Sequence, residues 1–199
     1  MSDSLARRGV IHDKHAFIDS VLHRESEGPT ALGEELAVPH EKGLELKRQG
    51  KYEDSIRMYE KVMDSGYYVP ETCKALAKVY FIVGRYKDAI TLYSNSFVRE
   101  YKMWMNDPQY QPEFATSVDH LAYAYLAAQG ELSRADRDFY LVGIDPANRE
   151  KHQQDVRRNG IPESELQKNR DRMKVVGMQY CDSLCDYVKL PRLSQYFHS

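Results

Sequence analysis

The sequence contains few side chains whose type and spacing could support chemistry, and the cysteines are the first to consider. Cys181 and Cys185 lie four residues apart, so on a helix both thiols would share one face, where they could bind a metal ion or be oxidised. No histidine or further cysteine nearby completes a set of metal ligands, which favours two small buried hydrophobic residues instead. Cys73 is expected to be inert in the core of a helix pair. We therefore predict no metal site and no cofactor.

His40 is the next candidate, because a neutral imidazole is a competent nucleophile near pH 7 and can carry a phosphoryl group. It closes a run of residues, Ala37-Val38-Pro39-His40, that follows Leu32-Gly33 and an acidic residue, Glu25. In type and spacing this signature resembles the fructose/mannitol-type (type 2) enzyme IIA of the bacterial phosphoenolpyruvate-dependent sugar phosphotransferase system (PTS). The resemblance implies that His40 is the phosphoryl acceptor and that the PTS phosphocarrier protein is a partner.

The resemblance covers only about residues 4–42, which correspond to the first part of an enzyme IIA domain. The later strands, which in that family supply a second histidine and further donors to the phosphoryl group, have no counterpart here. His120 could be proposed as the second histidine, but the repeats described below already account for its helix. Glu41 also stands where the family has a small residue. The sequence thus leaves enzymatic activity open and favours its absence.

The elements that position these residues follow from an internal repeat with a period of 34 residues. The segments Gln49–Ile56 and Val83–Ile90 align in register, with the same glycine, tyrosine, aspartate and isoleucine in both, and the register continues from Tyr59 to Tyr93. Such a period indicates stacked two-helix units, with a glycine turn between the helices of each pair. A third copy, with one inserted residue in its turn, includes Leu121.

The small and aromatic positions of these units resemble the tetratricopeptide repeat (TPR) family. That resemblance implies an all-α fold, a short TPR-like α-α superhelix whose groove binds a protein or peptide ligand. We divide the chain into a partial enzyme IIA-like segment, residues 1–42, and three TPR-like repeats, residues 43–146, with an insertion at 104–114. Residues 147–199 form a C-terminal helical cap and tail, because such arrays need a terminal element over their last apolar face.

The chain before the first repeat has two interpretations. Residues 31–38 could form a strand, as in the enzyme IIA family, although that strand would lack partners. Alternatively, Pro39 occupies the first turn of a helix over residues 38–49 that opens the first repeat. We favour the helix, which leaves residues 24–37 as a loop after an amphipathic helix over residues 13–23.

The insertion at residues 104–114 is unusually aromatic, and it contains two prolines that argue against a continuous helix. Its aromatic side chains could anchor a partner protein. They could equally pack back on the repeats, and the sequence does not decide between the two.

The composition argues against several functions. A net charge of −2 and an isoelectric point near 6.4, with no basic patch along the sequence, argue against nucleic-acid binding. The N-terminal residues 1–17 contain no apolar run, so we predict neither a signal peptide nor membrane insertion, and a cytoplasmic location.

Two functions compete. The first is a protein-interaction module, linked to regulation of the PTS. Its candidate ligand-binding residues are first-helix side chains not needed for packing and two aromatics of the insertion: Lys47, Lys78, Phe81, Tyr125, Trp104 and Tyr110. The alternative is an enzyme IIA-type phosphocarrier that uses His40. We prefer the first, because the enzyme IIA-like segment is incomplete.

Overall fold

A computed structural model describes residues 14–22, 33–65, 69–107, 109–110, 112–160 and 162–197. These residues form α-helices joined by turns, and no strand occurs among them. The helices of this described part are α1 Lys14–Val21, α2 Glu34–Arg48, α3 Tyr52–Met63, α4 Pro70–Ile82, α5 Tyr86–Asn106, α6 Phe114–Gln129, α7 Arg134–Ile144, α8 Arg149–Arg158 and α9 Glu163–Tyr187. Short 3-10 helices lie at Pro146–Asn148 and Leu193–Gln195. The prediction of an all-α fold is confirmed.

The two 34-residue copies fold as equivalent helix pairs, α2 with α3 and α4 with α5. Each pair turns at a glycine with positive φ, Gly50 at 73° and Gly84 at 83°, a conformation that glycine adopts at little cost. In both turns the backbone N–H after the glycine donates to a carbonyl five residues earlier, at 2.9 Å and 2.8 Å: Lys51 to Leu46, and Arg85 to Tyr80. The sequence repeat therefore corresponds to a repeated turn geometry.

The third copy is built differently. Helix α6 packs along α5 on one side and along α9 on another, and it makes few contacts with α7. Helix α9 approaches α6 closely at Gly177, where a Cβ atom would lie 2.2 Å from the carbonyl oxygen of Val118. Helix α7 packs mainly against α8 and also touches α4, with the ring centroid of Tyr140 4.7 Å from that of Phe81. Because α6 and α7 do not pair as the earlier helices do, a TPR-like superhelix stays a prediction.

The N-terminal helix α1 belongs to the same core as the repeats. Its Phe17 and Ile18 are buried, and the helix packs against α5 and α9. The ring centroid of Phe17 lies 5.6 Å from that of Tyr125 and 6.3 Å from that of Tyr180. The helix falls within the predicted span of residues 13–23. It is thus part of the packed array and contributes large apolar side chains to it.

Helix α2 begins earlier than predicted, at Glu34. The predicted loop is therefore wrong over residues 34–37, as is the strand alternative there, while residues 23–32 lie outside the described part. Two glutamates in the first turn favour a helix start at this point. Pro39 lies inside the helix, where one backbone hydrogen bond is lost. The helix continues through residues 42 and 43, where the sequence resemblance predicts a junction.

The segment after α7 returns to the first helix pair. The Tyr52 hydroxyl donates to Asp145 over 2.6 Å, and the Asn148 amide donates to the Tyr52 oxygen over 2.7 Å. His152 Nε2 lies 2.8 Å from the second carboxylate oxygen of Asp145. Burial alone would raise the pKa of Asp145, but the hydrogen bonds from Tyr52, His152 and Asn148 hold it below its ordinary value. This cluster fixes the end of α7 beside the start of α3.

Candidate functional site

His40 lies on the inner side of α2 and is nearly buried. Its Nδ1 is 3.0 Å from the hydroxyl oxygen of Thr72 on α4. The edge of its ring faces Tyr59, with centroids 5.5 Å apart. Burial lowers the pKa of His40, and Glu41 and Glu71 act in the opposite direction. The side chain thus joins α2, α3 and α4 in the core of the first two helix pairs.

This environment is poorly suited to phosphoryl transfer. The neutral imidazole retains a lone pair, but the charged groups that shift the pKa of His40 are the carboxylates of Glu41 and Glu71. An incoming phosphoryl group is anionic and needs preorganised donors or cations, whereas these carboxylates would repel it. His120 contacts Tyr140 and Tyr93 rather than His40. The structure does not bring the two histidines into contact within the described residues.

Three lysines of α2 and α4 converge on one side of the helix pairs, and we call Lys47, Lys74 and Lys78 the basic face. Lys74 is paired with Glu100, whose carboxylate lies 2.7 Å from its ammonium nitrogen. Lys47 and Lys78 make no such ion pair with any described residue. Two of the three cations therefore lack a direct acidic partner in this part of the chain.

Lys47 is unusual because only 9% of it is exposed. Burial, followed by the charge of Lys78, lowers the pKa of Lys47 to about 8, although Asp145 acts in the opposite direction. Burial, followed by Lys74, also lowers the pKa of Lys78. A buried ammonium group without a hydrogen-bonded counter-ion destabilises a folded protein. An anion bound at the basic face would therefore offset this unpaired positive charge.

A cavity of about 550 Å³ adjoins the basic face, between α4, α6, α7 and α9. We call it the basic cavity. Its charged lining comprises Lys78, Asp119, Arg170 and Lys174, and its polar lining includes His120 and Tyr140. Three cations thus face one carboxylate. Its volume falls within the range of roughly 300 to 1,000 Å³ that is typical of ligand sites.

His120 forms part of the wall of the basic cavity. Its Nδ1 lies 2.8 Å from the Tyr140 hydroxyl, and its ring stacks on Tyr93 with centroids 5.0 Å apart. Its Nε2 is buried without a hydrogen-bond partner among the described residues. Burial, followed by Lys78 and the other two lysines of the basic face, lowers the pKa of His120 to about 3. The imidazole is neutral at pH 7 and adds no charge to the cavity.

The other predicted ligand-binding residues have packing partners. Phe81 is buried against Tyr140. Tyr125 is half-buried beneath Phe17 and stacks on Tyr180, with ring centroids 4.7 Å apart. These contacts explain why the two aromatics are less available to a ligand than their first-helix positions indicate.

The insertion is shorter than predicted, because α5 continues to Asn106 and α6 begins at Phe114. Trp104 packs on Tyr101 and Phe114, with centroid distances of 5.7 Å and 5.5 Å. Tyr110 is half-buried, and burial, followed by Glu100, raises its pKa to about 12. The aromatics of this region that the structure describes therefore favour the packing interpretation.

Sequence reasoning missed the basic face as a unit. The pair Lys74 and Lys78 is four residues apart on one helix, a spacing that already puts both side chains on one side. Arg170 and Lys174 repeat this spacing on α9. Only the packing of α9 against α6 brings the second pair beside the first, so the sequence shows no continuous basic patch.

The three cysteines have no site around them. All are buried and free. Burial raises the pKa of Cys73 and of Cys185 to about 12, and it also raises the pKa of Cys181 well above its ordinary value. Such thiols stay protonated and unreactive.

Among the described residues, no cluster of three or more histidine, cysteine or acidic side chains could hold a metal ion. No helix in that same part has the length and apolarity needed to cross a membrane.

Comparison with known proteins gives matches for the beginning of the chain. Residues 1–52 match the family described as phosphoenolpyruvate-dependent sugar phosphotransferase system, EIIA 2. The PTS system 2-O-alpha-mannosyl-D-glycerate-specific EIIABC component of Escherichia coli (strain K12) is 49% identical over 47 residues. That alignment covers 24% of this chain and 7% of the relative. No solved structure matches the chain.

These matches confirm the enzyme IIA resemblance and leave the TPR resemblance a prediction. The family match reaches residue 52, ten residues past the boundary predicted at residue 42. It therefore includes all of α2 and the turn at Gly50, so the matched sequence and the first helix pair overlap. The chain spans only a small fraction of the relative's length.

Proposed function

We propose that this chain is a protein-binding module linked to the sugar phosphotransferase system, and that its basic face binds an acidic segment of a partner protein. The observation that carries the proposal is Lys47, a nearly buried ammonium group beside Lys78 without an ion-pair partner among the described residues. The link to the PTS is supported by the match over residues 1–52.

The charge distribution supports an acidic ligand. The chain as a whole carries a net charge of −2, so a generally acidic partner is attracted to the basic face rather than to the surface at large. A carboxylate placed between Lys47 and Lys78 would relieve their mutual repulsion and form charge-assisted hydrogen bonds. The equivalent helix pairs α2–α3 and α4–α5 hold the two lysines on rigid elements, which limits the ordering cost of binding.

Fluorescence anisotropy with a labelled peptide of alternating glutamate and alanine tests this proposal, with alternating glutamine and alanine as the neutral comparison. We expect salt-sensitive binding of the acidic peptide alone. Lys78→Glu should weaken it at least tenfold, because a neighbouring attraction becomes a repulsion. Lys87→Glu is the matched control, since Lys87 is exposed at the start of α5. Equal losses in both variants would show that only net charge matters, which contradicts a specific site.

A phosphocarrier function is the second candidate, supported by the match over the segment that contains His40. Phosphoenolpyruvate, enzyme I and the PTS phosphocarrier protein should label His40 if this function is correct. We expect little labelling, because each missing preorganised donor costs about 3 to 4 kcal/mol in the transition state. Rapid stoichiometric labelling that is lost in His40→Ala would establish the phosphocarrier function in its place.

A further inference from the structure

A second cavity, of about 840 Å³, lies in the groove between α6, α9 and the 3-10 helix at Leu193–Gln195. We call it the apolar cavity, because most of its lining is apolar: Phe114, Ala115, Val118, Val175, Met178, Leu193 and Phe197. Its walls also carry a few polar groups, and one of them, Asp182, already accepts the Ser194 backbone N–H over 3.0 Å. The remaining surface is suited to large apolar side chains.

Two of the five large hydrophobic side chains that are exposed among the described residues line the apolar cavity. Val175 is 56% exposed and Phe197 is 45% exposed, and both line the apolar cavity. Tyr196, 46% exposed, lies beside Trp104 with ring centroids 5.0 Å apart. An exposed apolar patch of this kind is typical of an interaction site. Val38 on α2 is exposed but does not line the cavity.

The apolar cavity adjoins the basic cavity, because Asp119 and Lys174 form part of both linings. Along α6 the two linings extend from Phe114 to Tyr123, nine residues or about 13 Å at 1.5 Å per residue. An extended peptide covers that distance with about four residues. One short segment could therefore place side chains in both cavities.

We propose that the apolar cavity is a docking site for the same partner segment that the basic face binds. The segment carries one or two large apolar side chains about four residues from an acidic side chain. The apolar residues fill the cavity beside Val175, and the acidic residue pairs with Lys78. This inference rests on the proposed protein-binding function and adds the sequence pattern of the ligand.

Charge complementarity identifies a peptide of this pattern as the occupant. The basic cavity sets three cations against Asp119, so the part of the ligand that enters it is anionic. The apolar cavity shares Lys174 and Asp119 and adds Asp182, so its lining carries no excess of positive charge. This cavity therefore favours contact with apolar side chains of the ligand. A ligand that is acidic throughout would leave the apolar surface exposed to water.

The test compares two labelled peptides by anisotropy: the alternating glutamate–alanine probe, and the same probe in which leucines replace two alanines, so that each leucine has glutamates three and five residues away. For the unaltered chain, we expect the leucines to tighten binding about tenfold or more, which corresponds to burial of a large apolar side chain. Val175→Glu should remove that gain, so that both probes bind this variant with the same affinity. Lys78→Glu should weaken both probes.

Val38→Glu is the matched control, because it places the same substitution at an exposed apolar residue outside both cavities. This inference is wrong if the leucines do not tighten binding, or if Val38→Glu and Val175→Glu reduce the affinity for the leucine probe equally. The proposed function would still stand in that case, provided that binding of the first probe depends on Lys78. Binding of neither probe would overturn both. Sedimentation velocity identifies a different occupant: a dimer that Val175→Glu dissociates would show that a second copy of the chain covers the cavity.

Discussion

Gly177→Ala tests the contact on which the packing of α9 depends. A Cβ atom at this position would lie 2.2 Å from the Val118 carbonyl oxygen and 2.8 Å from the Val118 side chain. Real Cβ atoms essentially never approach within 3.0 Å of another atom, so α6 and α9 must move apart by close to 1 Å. The obstacle is backbone, which cannot rotate away as a flexible side chain can.

Two effects of opposite sign set the magnitude. Overpacking a core costs about 1 to 3 kcal/mol, and a clash with a backbone oxygen belongs at the upper end. Replacing glycine by alanine inside a helix gains about 1 kcal/mol. We expect a net loss of about 2 kcal/mol, which lowers the melting temperature by roughly 4 to 8 °C for a chain of this size.

Thermal unfolding followed by circular dichroism measures the loss, and two further glycines calibrate it. Gly143→Ala in α7 meets nothing within 4 Å, so it should unfold at the same temperature or slightly higher. Gly43→Ala meets the Tyr59 ring at 2.8 Å, which can shift, so its effect should be intermediate. If Gly177→Ala unfolds at or above the temperature of the unaltered chain, the close approach of α6 and α9 is wrong.

Three further perturbations test the electrostatics. Lys47→Met should stabilise the fold by roughly 1 to 3 kcal/mol in urea unfolding at pH 7, because burial disfavours the ammonium, yet weaken the acidic probe; a destabilised variant would contradict an unpaired cation. The free energy of unfolding should be greatest above pH 6.5 and fall toward pH 3, by up to about 1.4 kcal/mol per unit, because His120 takes up a proton only on unfolding. His120→Phe should reduce this pH dependence of the free energy of unfolding. The smaller dependence that remains comes from His40, whose pKa is also lowered. Asp145→Ala should lower the free energy of unfolding by about 2 to 4 kcal/mol, because Tyr52 and His152 lose their hydrogen-bond partner. A loss below about 0.5 kcal/mol would rule out the hydrogen-bond cluster.

The local parts of the fold could be predicted from the sequence because their causes are local. Gly50 and Gly84 occupy equivalent turns, and both have the positive φ that only glycine adopts readily. The burial of Tyr59 and Tyr93 likewise follows from helical spacing within one repeat. A period of 34 residues is therefore sufficient to identify the first two helix pairs.

The third copy could not be predicted in the same way, because its packing depends on a distant residue. Its sequence has the turn glycine, Gly130, with φ of 71°, yet α6 takes α9 as its main neighbour. Gly177 lies in a helix where it looks merely unfavourable, and its role becomes apparent only opposite Val118. Helix pairing between distant segments depends on such complementary surfaces, which periodicity does not encode.

The candidate site also combines features that the sequence indicates locally with features that depend on packing between distant segments. The first-helix positions of Lys47 and Lys78 make both residues candidates, but the low exposure of Lys47 is not apparent from the sequence. Arg170 and Lys174 reach the basic cavity only through the packing of α9. The sequence indicates that Pro39 occupies the first turn of α2, whereas the helix begins at Glu34 and contains Pro39 in its interior.

The hydrogen bond between Tyr52 and Asp145 joins residues 93 positions apart in the chain, and the contact of Asp19 with Tyr187 spans 168. In a simple linear array each unit touches only its neighbours, so unfolding can start at one end and spread. Here both ends are tied to distant parts of the chain, which raises the mean sequence separation of contacts and slows folding. The described helices should consequently exchange their amide hydrogens as one cooperative unit, with the outermost helices protected nearly as well as those between them.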